Sequence, residues 1–342
     1  MKIGSGRGRG SGRGGEGSRS GVSFILAPML PEERIRVGLF LLLICAVYAV
    51  AGLFIIESIV QRARKLPPAT GRMRRFVRRG AYLAAGAGVL CFAWGYFVEP
   101  YWLEVRHVTI PSPKVPPGSR GIRIVHISDL HCDPAPRLEE RLPGVIAAER
   151  PDLIVFTGDA LNSPAGLPIF QRLMKELSPI APLFCVKGNW DSGGRGLGIF
   201  DGTGARELDG SRTRLEVGGV AVQVCGVAFG REGRIASLLR ETSPGELVVF
   251  LHHYPDEIHA AAEAGADIYC AGHTHGGQVA LPVYGALLTL SRFGKRFEGG
   301  LYRVGGTWLN VNRGIGMEGG RAPRVRFFAR PEVTVIEVVP ES

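Results

Sequence analysis

Five short stretches of this chain end an apolar run with residues that bind cations or move protons. They are Asp129-Leu130-His131 after "IRIVHIS", Gly158-Asp159 after "LIVFT", Gly188-Asn189 after "LFCVK", His252-His253 closing "ELVVFLHH", and Gly272-His273-Thr274-His275 after "DIYCA". Singly, each has a plain explanation: a carboxylate caps a helix, an asparagine closes a turn, a histidine bonds to backbone. Together they offer only hard oxygen and imidazole nitrogen, with no thiolate pair, a donor set suited to manganese, iron or zinc. Two such ions about 3.5–4 Å apart can share one carboxylate. The expected chemistry is that of a dinuclear metal centre.

The runs that carry these residues have the length and composition of buried strands: 122–128, 153–158, 183–188, 246–253 and 267–273. Helical candidates at 137–150, 167–177 and 256–264 lie between them, and Gly218-Gly219 between two alternating runs signals a hairpin. The pattern predicts a layered α/β domain with antiparallel additions. In such sheets ligands collect beyond the carboxyl ends of the strands, which is where the polar residues fall.

The formal charge of +10 is unevenly placed. Residues 1–106 carry 16 Lys/Arg and 6 Asp/Glu, whereas residues 107–342 carry 25 of each. The larger region has no basic excess, so a nucleic-acid partner is not expected. The six cysteines stand singly, and Cys132, Cys185, Cys225 and Cys270 read as small buried hydrophobes in or near strands, with Cys132 closest to a motif.

Residues 1–36 begin as a Gly/Arg/Ser-rich tail, expected to be disordered. Residues 37–98 read as a membrane hairpin. Val37 opens 20 residues without a charge, enough to span a hydrocarbon core of about 30 Å, and residues 81–98 form a second, glycine-richer run. Tyr96, Tyr101 and Trp102 fall where an interfacial aromatic belt would lie. The loop at 61–80 holds Arg62, Arg64, Lys65, Arg72, Arg74, Arg75, Arg78 and Arg79 and no acid, which by the positive-inside rule is cytoplasmic and puts the C-terminal domain outside. The tail's own arginines pull the other way. A Pro-rich linker at 99–121 is expected to join hairpin and domain, which then occupies 122–342.

Read in order, "DLH … GD … GN-x-D … H-x-P … GHTH" resembles the calcineurin-like metallophosphoesterase superfamily over roughly residues 122–339. "GHTHGGQV", "VNRGIG" and "PEVTVIEV" are similar to the bacterial branch of YaeI- and YkuE-type phosphodiesterases, itself similar to one class of UDP-2,3-diacylglucosamine pyrophosphatases. The resemblance implies a four-layer α/β/β/α sandwich and two divalent metal ions. Asp129, His131 and His275 would hold the first, Asn189, His253 and His273 the second, and Asp159 would bridge them. His253 is chosen over His252 because it makes the H-x-P with Pro255; His252 and His126 are taken as structural. The implied reaction is in-line attack on phosphorus by a hydroxide between the ions, held by Asp159, on a phosphoester or pyrophosphate.

One departure stands out. Many relatives place a leaving-group histidine after the Gly-Asn, and its aspartate partner three residues past the bridging Asp. Here those positions are Trp190 and Asn162. The chain could have become a scaffold at the membrane, although the retained donors oppose that. It could take its acid from Asp191 or from water. Or its leaving group could be stable as an anion, as a phosphoryl group with a pKa of roughly 6 is, which points to a pyrophosphate linkage in a nucleotide-linked lipid. Trp190, Asp191 and Asn162 are the candidate leaving-group contacts. No protein partner is evident.

Overall fold

The structure is a computed structural model that describes residues 29–67, 71–192, 197–319 and 323–341. The tail over residues 1–28 lies outside the described residues. Two antiparallel helices come first, α1 (Pro31–Ala63) and α2 (Arg72–Phe97), both long and apolar enough to cross a membrane, with only Glu33, Ala51 and Gly95 buried among their described residues. They touch where α2 is smallest: Tyr48 Oη donates to the Ala85 carbonyl, and a side chain at Gly88 would collide with the same hydroxyl.

α1 starts six residues before the first uncharged run, inside what reads as the tail. Pro31 occupies its first turn and Glu33 reaches back to the Leu30 N–H at 3.1 Å, a capping arrangement that composition conceals. The basic stretch 61–80 is likewise mostly helix, since α1 runs to Ala63 and α2 starts at Arg72.

Strands then follow in chain order: β1 (Glu104–Ser112), β2 (Ile122–Ile127), β3 (Leu153–Phe156), β4 (Leu183–Cys185) and β5 (Arg206–Glu207); β6 (Ser211–Val217), β7 (Val220–Gly226), β8 (Leu247–Leu251) and β9 (Ile268–Ala271); a two-stranded ribbon of β10 (Ala280–Leu281) and β11 (Gly285–Ala286); and β12 (Gly300–Val304), β13 (Thr307–Val311) and β14 (Glu332–Pro340). One six-stranded sheet runs β1-β14-β2-β3-β4-β5 and the other β12-β13-β9-β8-β7-β6. The first is parallel from β2 to β5, with β14 antiparallel to β2, and the second is parallel from β13 to β7; β6 turns back on β7 through Gly218-Gly219, as the pattern predicts.

The part read as linker contains β1, which pairs with β14 along its whole length. Val108 and Ile110 alternate inward there, a two-residue period that the surrounding prolines mask. The folded domain therefore begins near Glu104 instead of residue 122.

Side-chain alternation sets the layers. Ile122, Ile124, Leu153 and Val155 meet Val222, Val224, Leu247 and Val249 between the sheets. Val125, Ile127 and Phe156 face outward onto α3 (Leu142–Ala148) and α4 (Leu167–Leu177), burying Phe170, Leu173 and Leu177. Val248, Phe250 and Tyr269 face α6 (Ile235–Arg240) and α7 (Ile258–Glu263), while α5 (Asn189–Ser192) is a single turn after β4. The order is α/β/β/α, and it brings the carboxyl ends of β2, β3, β4, β8 and β9 to one rim.

Candidate metal centre

At that rim the strand ends deliver two groups. Asp129, His131 and His275 each put one donor atom within 4.8 Å of the others, and so do Asp159, His253 and His273; all six residues are buried. His275 Nε2 lies 3.3 Å from Asp129 Oδ1, and His253 Nε2 lies 3.1 Å from Asp159 Oδ2. The groups abut, with His131 Nε2 3.6 Å from Asp159 Oδ2 and His253 Nε2 3.9 Å from Asp129 Oδ1. Asn189 is buried beside them, and the next residue's N–H donates to Asp159 Oδ1 at 2.9 Å.

The loops are bent sharply to do this. Asp129, His131, Asp159, His273 and His275 all have φ between 42° and 71°, the left-handed region that costs a side-chain-bearing residue about 1–2 kcal/mol. Glycines allow the close approach: a Cβ at Gly188 would strike Asp159 Oδ1, and one at Gly272 would strike Asp129 Oδ2. "VNRGIG" wraps the first loop, as the Ile315 N–H donates to Ser128 O and the Gly316 N–H to Asp129 O. Asn312 secures that wrap by donating to His126 O and Thr334 Oγ1 while accepting from the Gly314 N–H.

The residues suit divalent cations. His253 Nδ1 bonds the Thr157 carbonyl at 2.7 Å and His273 Nε2 bonds the Leu290 carbonyl at 3.1 Å, so each ring is tied outward through one nitrogen and turns the other inward, where a cation would take the place of a proton. His131 Nε2 and His275 Nε2 face one another at 3.2 Å, an approach that needs a proton or a cation between them. Among the described residues His131 Nδ1, Asn189 Oδ1 and His253 Nε2 are buried without a hydrogen-bond partner. Asn189 Oδ1 and His253 Nε2 are atoms that bound ions would satisfy, whereas His131 turns Nε2 to the centre and its Nδ1 away from it.

Electrostatics agree. Burial pushes His131 down to about 4, His273 to about 3 and His275 well below the ordinary imidazole value, which keeps their lone pairs available at neutral pH. His253 goes the other way: burial opposes its charge, but the Asp159 carboxylate outweighs that and lifts it to about 9. Burial would raise Asp159, yet His253 and His131 hold it to about 2, while burial and the Asp159 charge lift Asp129 to about 7. The cluster thus attracts positive charge, and a divalent ion entering it displaces protons.

Of the three side chains expected at a leaving group, Trp190 lies against the centre, while Asp191 and Asn162 hold backbone. Asp191 anchors backbone: its carboxylate accepts the N–H of Asp159 at 2.8 Å, of Ala160 at 2.9 Å and of Gly188 at 3.0 Å. Asn162 is also a tie, since Nδ2 donates to the His131 and Met317 carbonyls and Oδ1 accepts from the Gly319 N–H. Trp190 is half-buried, its ring edge-on to His131 with centroids 5.3 Å apart. His252 and His126 sit as read: His252 Nδ1 bonds the Val227 carbonyl, and His126 lies between the sheets, bonded to Thr157 Oγ1 and the Asn310 amide.

Sequence reasoning passed over Tyr254, Arg326 and Glu318. Tyr254 stacks on His273 with centroids 3.6 Å apart; its place inside H-x-P was the available signal. Arg326 is fully buried and donates to the carbonyls of Arg313, Gly314, Gly316 and Ala329, pinning the wrapping loop; nothing in "RVRFFAR" distinguishes it from its neighbours. Glu318 sits on the strap between Asn162 and Gln278, its N–H bonded to Gln278 Oε1, and burial followed by the charge of Asp159 and Asp129 pushes its carboxyl up to about 7.

Residues 122–277 match the family model for calcineurin-like phosphoesterases. Over 293 residues the chain is 33% identical to the metallophosphoesterase YkuE of Bacillus subtilis, covering 77% of this chain and 96% of YkuE. It is 27% identical to phosphodiesterase YaeI of Escherichia coli over 291 residues, covering 78% of this chain and 98% of YaeI. With UDP-2,3-diacylglucosamine pyrophosphatase LpxG of Chlamydia muridarum it shares 24% over 319 residues, covering 75% of this chain and 95% of LpxG.

Proposed function

The chain belongs to the calcineurin-like phosphoesterase family and is a metal-dependent phosphohydrolase; from that premise we propose that it cleaves a pyrophosphate linkage in a membrane lipid. Asp129, His131 and His275 would hold one divalent ion and His253 and His273, with Asn189 beside them, a second, while Asp159 lies against both groups. Bound there, the ions supply Lewis acidity at phosphorus and water that ionises near neutrality. The protein keeps His131, His273 and His275 neutral, fixes the tautomers of His253 and His273 through the Thr157 and Leu290 carbonyls, and excludes bulk water by burial. By the positive-inside rule, the basic stretch 61–80 is cytoplasmic and the domain faces outside.

The observation that carries the pyrophosphate reading is what surrounds Trp190. Trp190 has no acidic proton, the Asn162 amide is spent on carbonyls, and Asp191 is spent on three N–H groups. An alkoxide leaving group needs a proton; a phosphoryl group, with a pKa of roughly 6, does not. The relatedness to LpxG, named for a lipid pyrophosphatase activity, supports the lipid. A second reading takes Glu318, half-buried on the strap that Asn162 ties down, as the proton donor for a phosphodiester.

Rates with Mn²⁺ separate them. UDP-2,3-diacylglucosamine is expected to be cleaved at least about 100-fold faster than an alkyl phosphodiester, a difference of roughly 2.7 kcal/mol in barrier, with Glu318→Gln nearly unchanged. Equal rates, with the phosphodiester rate lost in Glu318→Gln, would replace the pyrophosphate reading with the second.

A further inference from the structure

The support of the candidate centre reaches into the first membrane helix. Glu33, in the first turn of α1 and fully buried, accepts both the backbone N–H and the hydroxyl of Thr289 on Oε1, each at 2.9 Å. Its Oε2 accepts the Leu30 N–H at 3.1 Å, and the Leu30 side chain packs close to Gly294. On the far side of Leu290, Asp256 accepts from the Ser291 hydroxyl and from the Arg292 N–H. Leu290 is therefore gripped by a carboxylate before it and another after it.

Leu290 needs that grip. Its φ is 55°, a conformation an unrestrained leucine avoids. The bend aims its carbonyl at His273, which donates through Nε2 at 3.1 Å. That bond decides which ring nitrogen carries the proton and so which faces inward. Without it, the ring could take the other tautomer or rotate.

We propose that Glu33 is a positioning residue for the second metal ion: through Thr289 and Leu290, the first turn of the membrane hairpin fixes the tautomer and direction of His273. The hairpin then completes the centre as well as tethering it. This rests on assigning His273 to the second ion.

The test is Mn²⁺ binding by calorimetry to the full chain in detergent micelles. Glu33→Ala is expected to weaken the second ion about tenfold or more, the usual effect of removing an outer-shell partner, and to leave the first within about twofold. Glu33→Gln, whose amide oxygen still accepts both Thr289 bonds while the Leu30 N–H loses its acceptor, is expected to weaken the second ion less than Glu33→Ala does. Thr289→Val keeps the N–H bond and loses the hydroxyl, so it should weaken the second ion by an intermediate factor, and it decides the matter if Glu33→Ala does not fold. Wild-type affinities in Thr289→Val and in any folded Glu33→Ala would overturn the proposal. His273→Ala controls for the premise: if it retains both ions, the assignment of His273 fails, whereas loss of the second ion there with wild-type binding in the Glu33 and Thr289 variants defeats this inference alone.

Discussion

Asp159→Asn is expected to lower kcat/KM by about 10⁴-fold, the loss of roughly 5–6 kcal/mol of transition-state stabilisation, and to bring the Mn²⁺ content of the purified protein from two ions to at most one. The size follows from where the carboxylate stands. Its Oδ2 is 3.1 Å from His253 Nε2 and 3.6 Å from His131 Nε2, so it belongs to both groups of donors. Held near a pKa of about 2, it is ionised throughout the working range and is the charge that draws cations in. An amide keeps the shape and removes the charge. Atomic absorption on the dialysed protein, beside turnover of a pyrophosphate substrate, checks both halves; two retained ions with full activity would remove Asp159 from the centre.

Asp191→Ala is expected to act through stability. Three buried N–H groups, on Gly188, Asp159 and Ala160, lose their acceptor together. Unsatisfied buried donors cost about 1–3 kcal/mol each, and even with local relaxation the total should be about 3 kcal/mol or more. For a domain of this size that is a fall in melting temperature of roughly 6–12 °C. The same N–H groups set the backbone on either side of Asp159 and just ahead of Asn189, so metal affinity should fall too. A thermal melt of the full chain without added metal reads the effect directly. An unchanged melting temperature with a lowered kcat would instead return Asp191 to the leaving group.

The contrast between those residues shows what the sequence can convey. The strands were legible because each is a short apolar run, and the site because each run stops at a polar residue; Asp129, Asp159 and His253 are all found that way. Direction was not. Asp191 is two residues from Asn189, yet its carboxylate points into the backbone of β3's loop, a choice made by N–H groups that no spacing reveals. β1 was hidden because its partner, β14, lies more than 200 residues away, and prolines around it mimic a linker. The tie from Glu33 to His273 was hidden for the same reason: it joins the start of α1 to a loop some 256 positions later.

Two divalent ions held by these donors would lie close enough to share Asp159. Electron paramagnetic resonance of the full chain loaded with Mn²⁺ tests this most directly, because neighbouring Mn²⁺ ions couple their spins. The expected result is an exchange-coupled multiline spectrum in the wild type that Asp159→Asn abolishes. A six-line signal of isolated ions at full loading, the same in both proteins, would rule out a carboxylate shared by two ions.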